Sequence, residues 1–211
     1  MRTSISLITK KSVFLSLAAL FLYTRAGAEP RPTETFPNIN SALEAIRETF
    51  QVSTGFENAI GDLDKTPVAL DLSGNRLALV FDALIAQRPA YAWVLKNGFY
   101  DVYPKMRAGS FSQLTVTDYV AKDATLMEAV DAIDKLPRVQ RWLNRRHMSR
   151  GNLIAESVLM PPGGHGPPRR RQSFELKNVP VRTILNQVYG SFGETHWSIW
   201  HEGRNITMFF S

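Results

Sequence analysis

The sequence predicts an α+β protein made of two small domains, each with two helices packed on a mixed sheet of short strands. Three observations predict this fold. Two amphipathic helices occur in each half of the chain, short alternating strands flank them, and the order helix–strand–strand–helix–hairpin occurs twice. A length of 211 residues is enough for two such domains.

The second helix of each half carries the clearest pattern. Apolar residues follow the spacing i, i+3, i+4, i+7, i+8 from Leu77 and again from Val181. This spacing places an apolar stripe on one face of a helix. A short alternating strand precedes each helix, around Leu70 in the first half and around Phe174 in the second. We interpret the match as an internal duplication, the alternative being a chance similarity between two amphipathic helices.

A β-hairpin is predicted to follow each of these helices. The dipeptides Asn97-Gly98 and Glu202-Gly203 supply the turns. The paired strands are Tyr91–Leu95 with Tyr100–Tyr103, and His196–Trp200 with Ile206–Phe210.

The upstream part of each half repeats more weakly. Apolar residues spaced i, i+4, i+7 start at Ile39 and at Leu126, and each set predicts a short helix followed by a strand. These strands are predicted at 51–57 and 151–159. The second half has an extra predicted helix, Arg138–His147, after Pro137.

The first 28 residues are typical of a secretory signal peptide. A basic start, an apolar run of 11 residues at Val13–Tyr23 and the small-residue site Ala26-Gly27-Ala28 follow one another. The run is too short for a membrane-spanning helix, which needs roughly 20 residues. We therefore expect an exported, periplasmic protein that is not transmembrane after signal removal, with an uncleaved N-terminal anchor as the alternative.

The expected boundaries follow from the signal and the repeat. They are a signal peptide at 1–28, a first domain at 29–105, a linker at 106–112 and a second domain at 113–211. The second domain includes the extra helix and a Gly/Pro-rich loop at 161–168.

Charge and cysteine content exclude several classes of protein. The net charge of +6 falls to +2 once the basic residues of the signal are removed. Most of the excess positive charge therefore lies in the predicted signal peptide. The absence of Cys excludes disulfides, thiolate metal sites, a lipidated N-terminal Cys and a Cys nucleophile. No motif for a cofactor or a metal occurs.

The element order and the apolar positions resemble a known module. In the first half the matching residues are Leu70, Leu72, Leu77, Val80, Phe81 and Leu84. In the second half the best-matching segment is FELKNVPV at Phe174–Val181. They resemble the short N-terminal domain shared by secretins and TonB-dependent transducing receptors. The resemblance implies a small α+β domain of the bacterial periplasm that docks on other envelope proteins and is not an enzyme. The chain is expected to be a stand-alone tandem copy.

A dense group of arginines is the leading candidate for a binding surface. Residues 138–171 contain eight Arg and one acidic residue, and part of the group repeats along one face of the extra helix. Such a face suits an acidic protein, lipid headgroups or an envelope polymer, and the alternative is a solvated helix face. Nucleic acid is a poor partner, because aromatic residues are not interleaved with these arginines. The candidate residues are Arg138, Arg141, Arg145, Arg146, Arg169, Arg170 and Arg171.

The last hairpin supplies a further candidate, Trp200. Trp197 and Ile199 share one face of the strand and Trp200 lies on the other, so both faces are apolar. A strand of this kind is either covered on both sides or offers an edge to a partner. Trp200 is therefore a candidate binding residue, and burial against the other half is the alternative.

A second class of function is an exported enzyme with its site between the two halves. His147, His165 and Glu156 are the first residues to consider for it. His196 and His201 are spaced by an odd number of residues, so they face opposite sides of one strand and are interpreted as exposed polar residues of a hairpin.

Overall fold

Ten strands and five helices make up the described residues of the computed structural model, which are 33–58, 66–74, 76–106, 110–155 and 170–210. The predicted signal peptide, the Gly/Pro-rich loop and Arg169 lie outside the described residues. In order along the chain the elements are β1 (Glu34–Phe36), α1 (Ile39–Phe50), β2 (Ser53–Asn58), β3 (Val68–Leu70), α2 (Leu77–Gln87), β4 (Tyr91–Lys96), β5 (Phe99–Pro104), β6 (Thr115–Ala124), α3 (Leu126–Asp134), α4 (Pro137–Arg145), β7 (Ser149–Ala155), β8 (Gln172–Pro180), α5 (Val181–Phe192), β9 (His196–Glu202) and β10 (Asn205–Phe210).

Local sequence explains where several helices begin. The side chain of Asn38 accepts a hydrogen bond from the backbone N–H of Ser41 at the start of α1. Thr125 and Glu128 form a reciprocal capping box at the start of α3. Pro137 is the first residue of α4, where its missing N–H costs nothing. No helix among the described residues is long and apolar enough to cross a membrane.

One six-stranded sheet runs through both halves in the order β4-β5-β2-β9-β10-β7. The two halves meet where β2 pairs in parallel with β9, from Thr54 opposite His196 to Asn58 opposite Trp200. Two smaller antiparallel sheets, β1-β3 and β6-β8, complete the fold. The protein is therefore α+β, as predicted.

Strand order repeats between the halves. In each half the hairpin strands pair antiparallel, and the second hairpin strand pairs in parallel with the upstream strand, which gives β4-β5-β2 and β9-β10-β7. The strand before the first helix also pairs antiparallel with the strand before the last helix, as β1-β3 and as β6-β8. β9 runs parallel to β2 and β5, whereas β10 and β7 run the opposite way. The second three-stranded unit is thus turned over relative to the first.

Turning the unit over places the helices of the two halves on opposite faces of the sheet. One apolar core joins α1 and α2 to Phe56 and Val102, which point to one face. The other joins α3, α4 and α5 to Phe99, Trp197 and Ile199, which point to the other face. The central strands are consequently buried on both sides, which explains the two-sided apolar pattern of β9.

Gly55 makes the junction between the halves possible. A Cβ atom at this position would lie 2.3 Å from Cζ2 of Trp197 and 2.6 Å from Oδ1 of Asp101. Only a residue without a side chain leaves room for the Trp197 indole beside β2.

The boundary region differs from an exposed linker. Within the segment expected to link the domains, Ser110, Phe111 and Ser112 are fully or almost fully buried. Strands β1 and β6 were not predicted, although β6 is ten residues long. The prediction of two separate sheets missed the pairing of β2 with β9, because strand pairing between distant segments leaves no periodic signal in either segment.

Candidate functional site

Helix α4 separates its apolar and basic residues onto different faces. Val139, Trp142 and Leu143 are buried against the second core. Arg138, Arg141 and Arg145 are exposed, at the spacing i, i+3, i+7 that the sequence indicated. None of these three side chains forms a hydrogen bond or an ion pair with a described residue. Within the described part of the chain, nothing pairs with these three charges.

A concave surface runs along this helix, and we call it the arginine trough. Its inner cavity measures about 390 Å³ and its outer cavity about 270 Å³. Leu114, Arg138 and Trp142 line both cavities, so the two adjoin along α4. The inner cavity is also lined by Ser110, Gln113, Thr115, Pro180 and Arg182, and the outer one by Arg141, Arg145 and Arg146.

Arg182 brings a positive charge to the inner cavity from a different element, the first turn of α5. Its guanidinium lies over the Tyr103 ring, with Cζ 4.3 Å from the ring centroid. Its Nε and Nη1 atoms are buried and have no hydrogen-bond partner among the described residues. Stacking on an aromatic ring holds a guanidinium in place without neutralising it.

Aromatic packing fixes the floor of the trough. Trp142 contacts Phe111 edge-to-face, with ring centroids 5.4 Å apart, and contacts His201 in the same manner at 6.2 Å. The guanidinium of Arg146 lies over the Trp142 ring at 4.5 Å. Trp142 is thus held between the aromatic rings of Phe111 and His201 and the guanidinium of Arg146.

A buried carboxylate holds the segment that forms one wall. Glu57 on β2 is fully buried and accepts hydrogen bonds from Ser110 Oγ at 2.6 Å and from the backbone N–H groups of Phe111 and Ser112. Nε2 of His201 lies 2.8 Å from Glu57 Oε1, and since an ionised carboxylate only accepts, Nε2 carries the proton. Burial alone would raise the Glu57 pKa, but the hydrogen bonds and charge of His201 and the bonds from the serines hold it below 4.5.

A second buried carboxylate lies beneath Arg182. Asn186 donates to Asp101 Oδ2 at 2.9 Å and accepts a hydrogen bond from Trp197 Nε1 at 2.7 Å. Burial raises the pKa of Asp101 to about 7, although Asn186 and the charge of Arg182 act to lower it. Because burial favours the neutral form of Asp101, this carboxyl group compensates the Arg182 charge less than an ordinary aspartate would.

The remaining predicted arginines do not line the trough. Arg170 is exposed. Arg171 pairs with Asp123 and Glu128 at 3.1 and 3.0 Å, beside the capping box of α3. Arg169 lies outside the described residues. The structure thus brings together the four arginines of 138–146 and separates the described members of 169–171 from them.

Trp200 lies on the other face of the sheet from α4. It makes edge-to-face contacts with Phe56 and Phe209 and lines a cavity of about 250 Å³ against α1. Trp200 is partly exposed and therefore open to a ligand in this second cavity. The two predicted parts of the binding surface are nevertheless on opposite sides.

The histidines of the last hairpin are not exposed polar residues, so that interpretation was wrong. His196 is 8% exposed and its Nδ1 lies 3.0 Å from Thr54 Oγ1. Burial, together with the charge of Arg47, lowers the His196 pKa to about 4. His201 faces the opposite side, as predicted. Both are covered because each face of β9 packs against helices of a different half.

No protein-family model, curated protein or solved structure was found to match the chain. Function is therefore inferred from the geometry of the trough and from the sequence. Among the described residues no group of three or more His, Asp or Glu side chains is arranged to hold a metal ion.

Several residues of the trough escaped sequence reasoning. Arg182 is 36 residues from Arg146 along the chain, and only the fold brings it to the inner cavity. Gln113 and Leu114 were placed at the start of the second domain, and no element or role was predicted for them. The available signal was weak: a Leu beside the Ser-Phe-Ser run of 110–112, in a segment that contains an apolar aromatic residue and is hence unlike a solvated connection.

Proposed function

We propose that the protein is an exported, non-enzymatic docking module of the bacterial cell envelope that binds an acidic partner protein through the arginine trough. The observation that carries the proposal is the trough itself: three arginines of α4, Arg146 directly after it and Arg182 of α5 line two adjoining cavities that share Leu114, Arg138 and Trp142. Unneutralised guanidinium groups bind carboxylates strongly and with defined geometry.

The repeated topology supports descent from a duplicated module. Each half has two principal helices, a two-stranded sheet and a three-stranded mixed unit with the same strand order. The module resembled in sequence, the short N-terminal domain of secretins and TonB-dependent receptors, is likewise a pair of helices on a mixed sheet. We propose that the protein is a tandem version of it, in which the two copies share one sheet.

The cavity beside Trp200 gives less support to an enzyme. It lies between α1 of the first half and β9 and β10 of the second, where a site between the halves was considered. His196 is its most obvious general base, but a pKa of about 4 makes the imidazole a weak base at neutral pH. The cavity is therefore a poorer basis for function than the trough.

The test is affinity capture from envelope extracts with three forms of the full chain. The first is the wild type, and the second reverses the charge of α4 by Arg138→Glu, Arg141→Glu and Arg145→Glu. The third is a matched control that reverses three exposed cations away from the trough: Arg76→Glu, Lys105→Glu and Lys122→Glu.

We expect one reproducible partner with the wild type and the control, and its loss with the α4 variant. The partner should be an acidic protein, and capture should weaken as salt rises, because exposed charges are screened. Absence of a partner, or equal capture by all three forms, would contradict the proposal.

A further inference from the structure

The arginine trough combines two kinds of surface that one simple anion does not satisfy. Five arginines line it, and the half-buried Leu114 and Pro180, together with the small exposed part of Trp142, add apolar surface between them. A free phosphate or carboxylate would pair with the arginines and leave the apolar surface of the trough exposed to water. A ligand that covers both surfaces must carry apolar and acidic groups close together.

We infer that the trough recognises an extended acidic peptide segment in which a large apolar side chain lies beside acidic residues. The inference rests on the proposed function and names the chemistry of its partner. The apolar side chain covers Trp142 and Leu114. One neighbouring carboxylate lies between Arg138 and Arg182 in the inner cavity, and the next is held by Arg141 and Arg145.

The dimensions of α4 agree with a short segment. Arg138 and Arg145 are seven residues apart on a helix, which corresponds to roughly 10 Å along its axis. An extended peptide covers that distance with about three or four residues. Both carboxylates and the apolar side chain between them therefore fit within one short motif.

The shape of the site favours a peptide over a lipid surface. Anionic lipid surfaces attract clusters of exposed Lys and Arg along an amphipathic helix. Arg138 and Arg182 instead line one cavity, and the guanidinium of Arg182 is fixed against Tyr103. Arg182 also comes from another helix than Arg138, so the pair is set by tertiary packing and is not a solvated row on one helix face.

The experiment uses the full chain and three synthetic ten-residue peptides with fluorescence anisotropy as the readout. The first peptide alternates pairs of acidic residues with Leu, the second replaces each Leu by Ser, and the third replaces each acid by its amide. Vesicles of anionic phosphatidylglycerol form a separate arm. The protein variants are Arg138→Gln and Arg182→Gln, with Arg76→Gln as the control outside the trough, and Arg182→Lys retains the charge if Arg182→Gln unfolds.

We expect the acidic–apolar peptide to bind about tenfold or more tightly than either of the other two. Arg138→Gln and Arg182→Gln should each weaken that binding about tenfold, and Arg76→Gln should leave it unchanged. A thermal unfolding curve for each variant shows that the loss of binding is not a loss of fold.

Other outcomes separate this inference from the proposed function. Equal binding of the Leu and Ser peptides would overturn the role of the apolar floor, while leaving docking through the arginines in place. Insensitivity of binding to both Arg variants would overturn the inference, and so would stronger binding to vesicles than to the peptide. Failure of every peptide, together with arginine-dependent capture of a partner, would overturn the inference alone.

Discussion

At the scale of single residues, the junction of the two halves depends on groups that a sequence pattern does not mark. Gly55 leaves room for Trp197, whose indole N–H binds Asn186, which in turn binds Asp101. These four residues lie on three strands and one helix and are packed without spare volume. A substitution at any of these four residues is therefore expected to disturb the packing between the two halves.

Replacing Gly55 by Ala should destabilise the protein by about 3 kcal/mol, because the added Cβ would overlap Trp197 and Asp101 in a packed core. Urea denaturation followed by Trp fluorescence measures the effect. Gly190→Ala is the matched control, since its Cβ would meet only Phe99, at 3.3 Å, and Ala favours the helix. An equal loss in both variants would contradict the steric explanation.

Asp101→Asn should increase stability at alkaline pH relative to the wild type. The pKa of Asp101 is raised in the folded protein from 3.8 to about 7, so the folded state holds its proton more tightly than the unfolded state does. The free energy of unfolding contributed by this group therefore falls as pH rises from about 4 to 7.

Between pH 5 and pH 8 the stability difference between Asp101→Asn and wild type should change in favour of the variant by about 2 kcal/mol. Urea denaturation at both values measures it. His196 contributes to both proteins and cancels in the difference. A difference that does not change with pH would show that Asp101 ionises normally in the fold.

At the scale of elements, Glu57 connects the strands of both halves to the segment before β6. Its carboxylate binds residues 110–112 on one side and His201 of β9 on the other. The same segment supplies Ser110 to the inner cavity, and Gln113 and Leu114 follow directly. The wall of the trough and the junction of the halves are thus held by one charged group.

Glu57→Gln should cost about 3 kcal/mol at pH 7, because it removes the charge from a buried set of hydrogen bonds. The Glu57 pKa is lowered in the folded state, so its stabilisation is present above the usual pKa of 4.5 and is lost as pH falls through the folded value. The difference in free energy of unfolding between Glu57→Gln and the wild type should therefore become smaller as the pH falls.

Urea denaturation over a range of pH values tests this behaviour. Glu48→Gln, on the exposed face of α1, is the control and should change little. A stability difference that stays constant down to the acid-unfolding region would show that the Glu57 pKa is not lowered by folding.

At the scale of the whole molecule, two apolar cores lie on opposite faces of one sheet. The parallel pairing of β2 with β9 is a continuous strand contact of five residues on each side, and both strands are largely buried. If the sheet unfolded on one side, the apolar core on the other side would also become exposed to water. The halves are therefore expected to unfold together.

A single cooperative transition is the measurable consequence. Trp93 contacts the first core and Trp142 and Trp197 belong to the second. Near-UV circular dichroism, Trp fluorescence and far-UV circular dichroism should give the same midpoint in urea. Two separate transitions would contradict a shared sheet and favour independent domains.

The local elements and their order along the chain could be predicted from the sequence. Periodicity located α1, α2, α3, α4 and α5, since an amphipathic helix records in its spacing which face it buries. The Gly-containing turns located both hairpins, and the exposed arginines of α4 were identified from the same periodicity. Where a residue's environment is set by its own helix or turn, the sequence contains that information.

The way in which the halves join, and the residues that surround the arginines, could not be predicted from the sequence. The pairing of β2 with β9, the burial of residues 110–112 and the position of Arg182 depend on contacts between segments far apart in the chain. Trp200 shows the same limit, because alternation indicates which residues share a face but not what covers that face. Contacts between segments far apart in the chain determine what covers each face of a strand or helix. The same contacts bring Arg182 beside Arg138 and so form the trough.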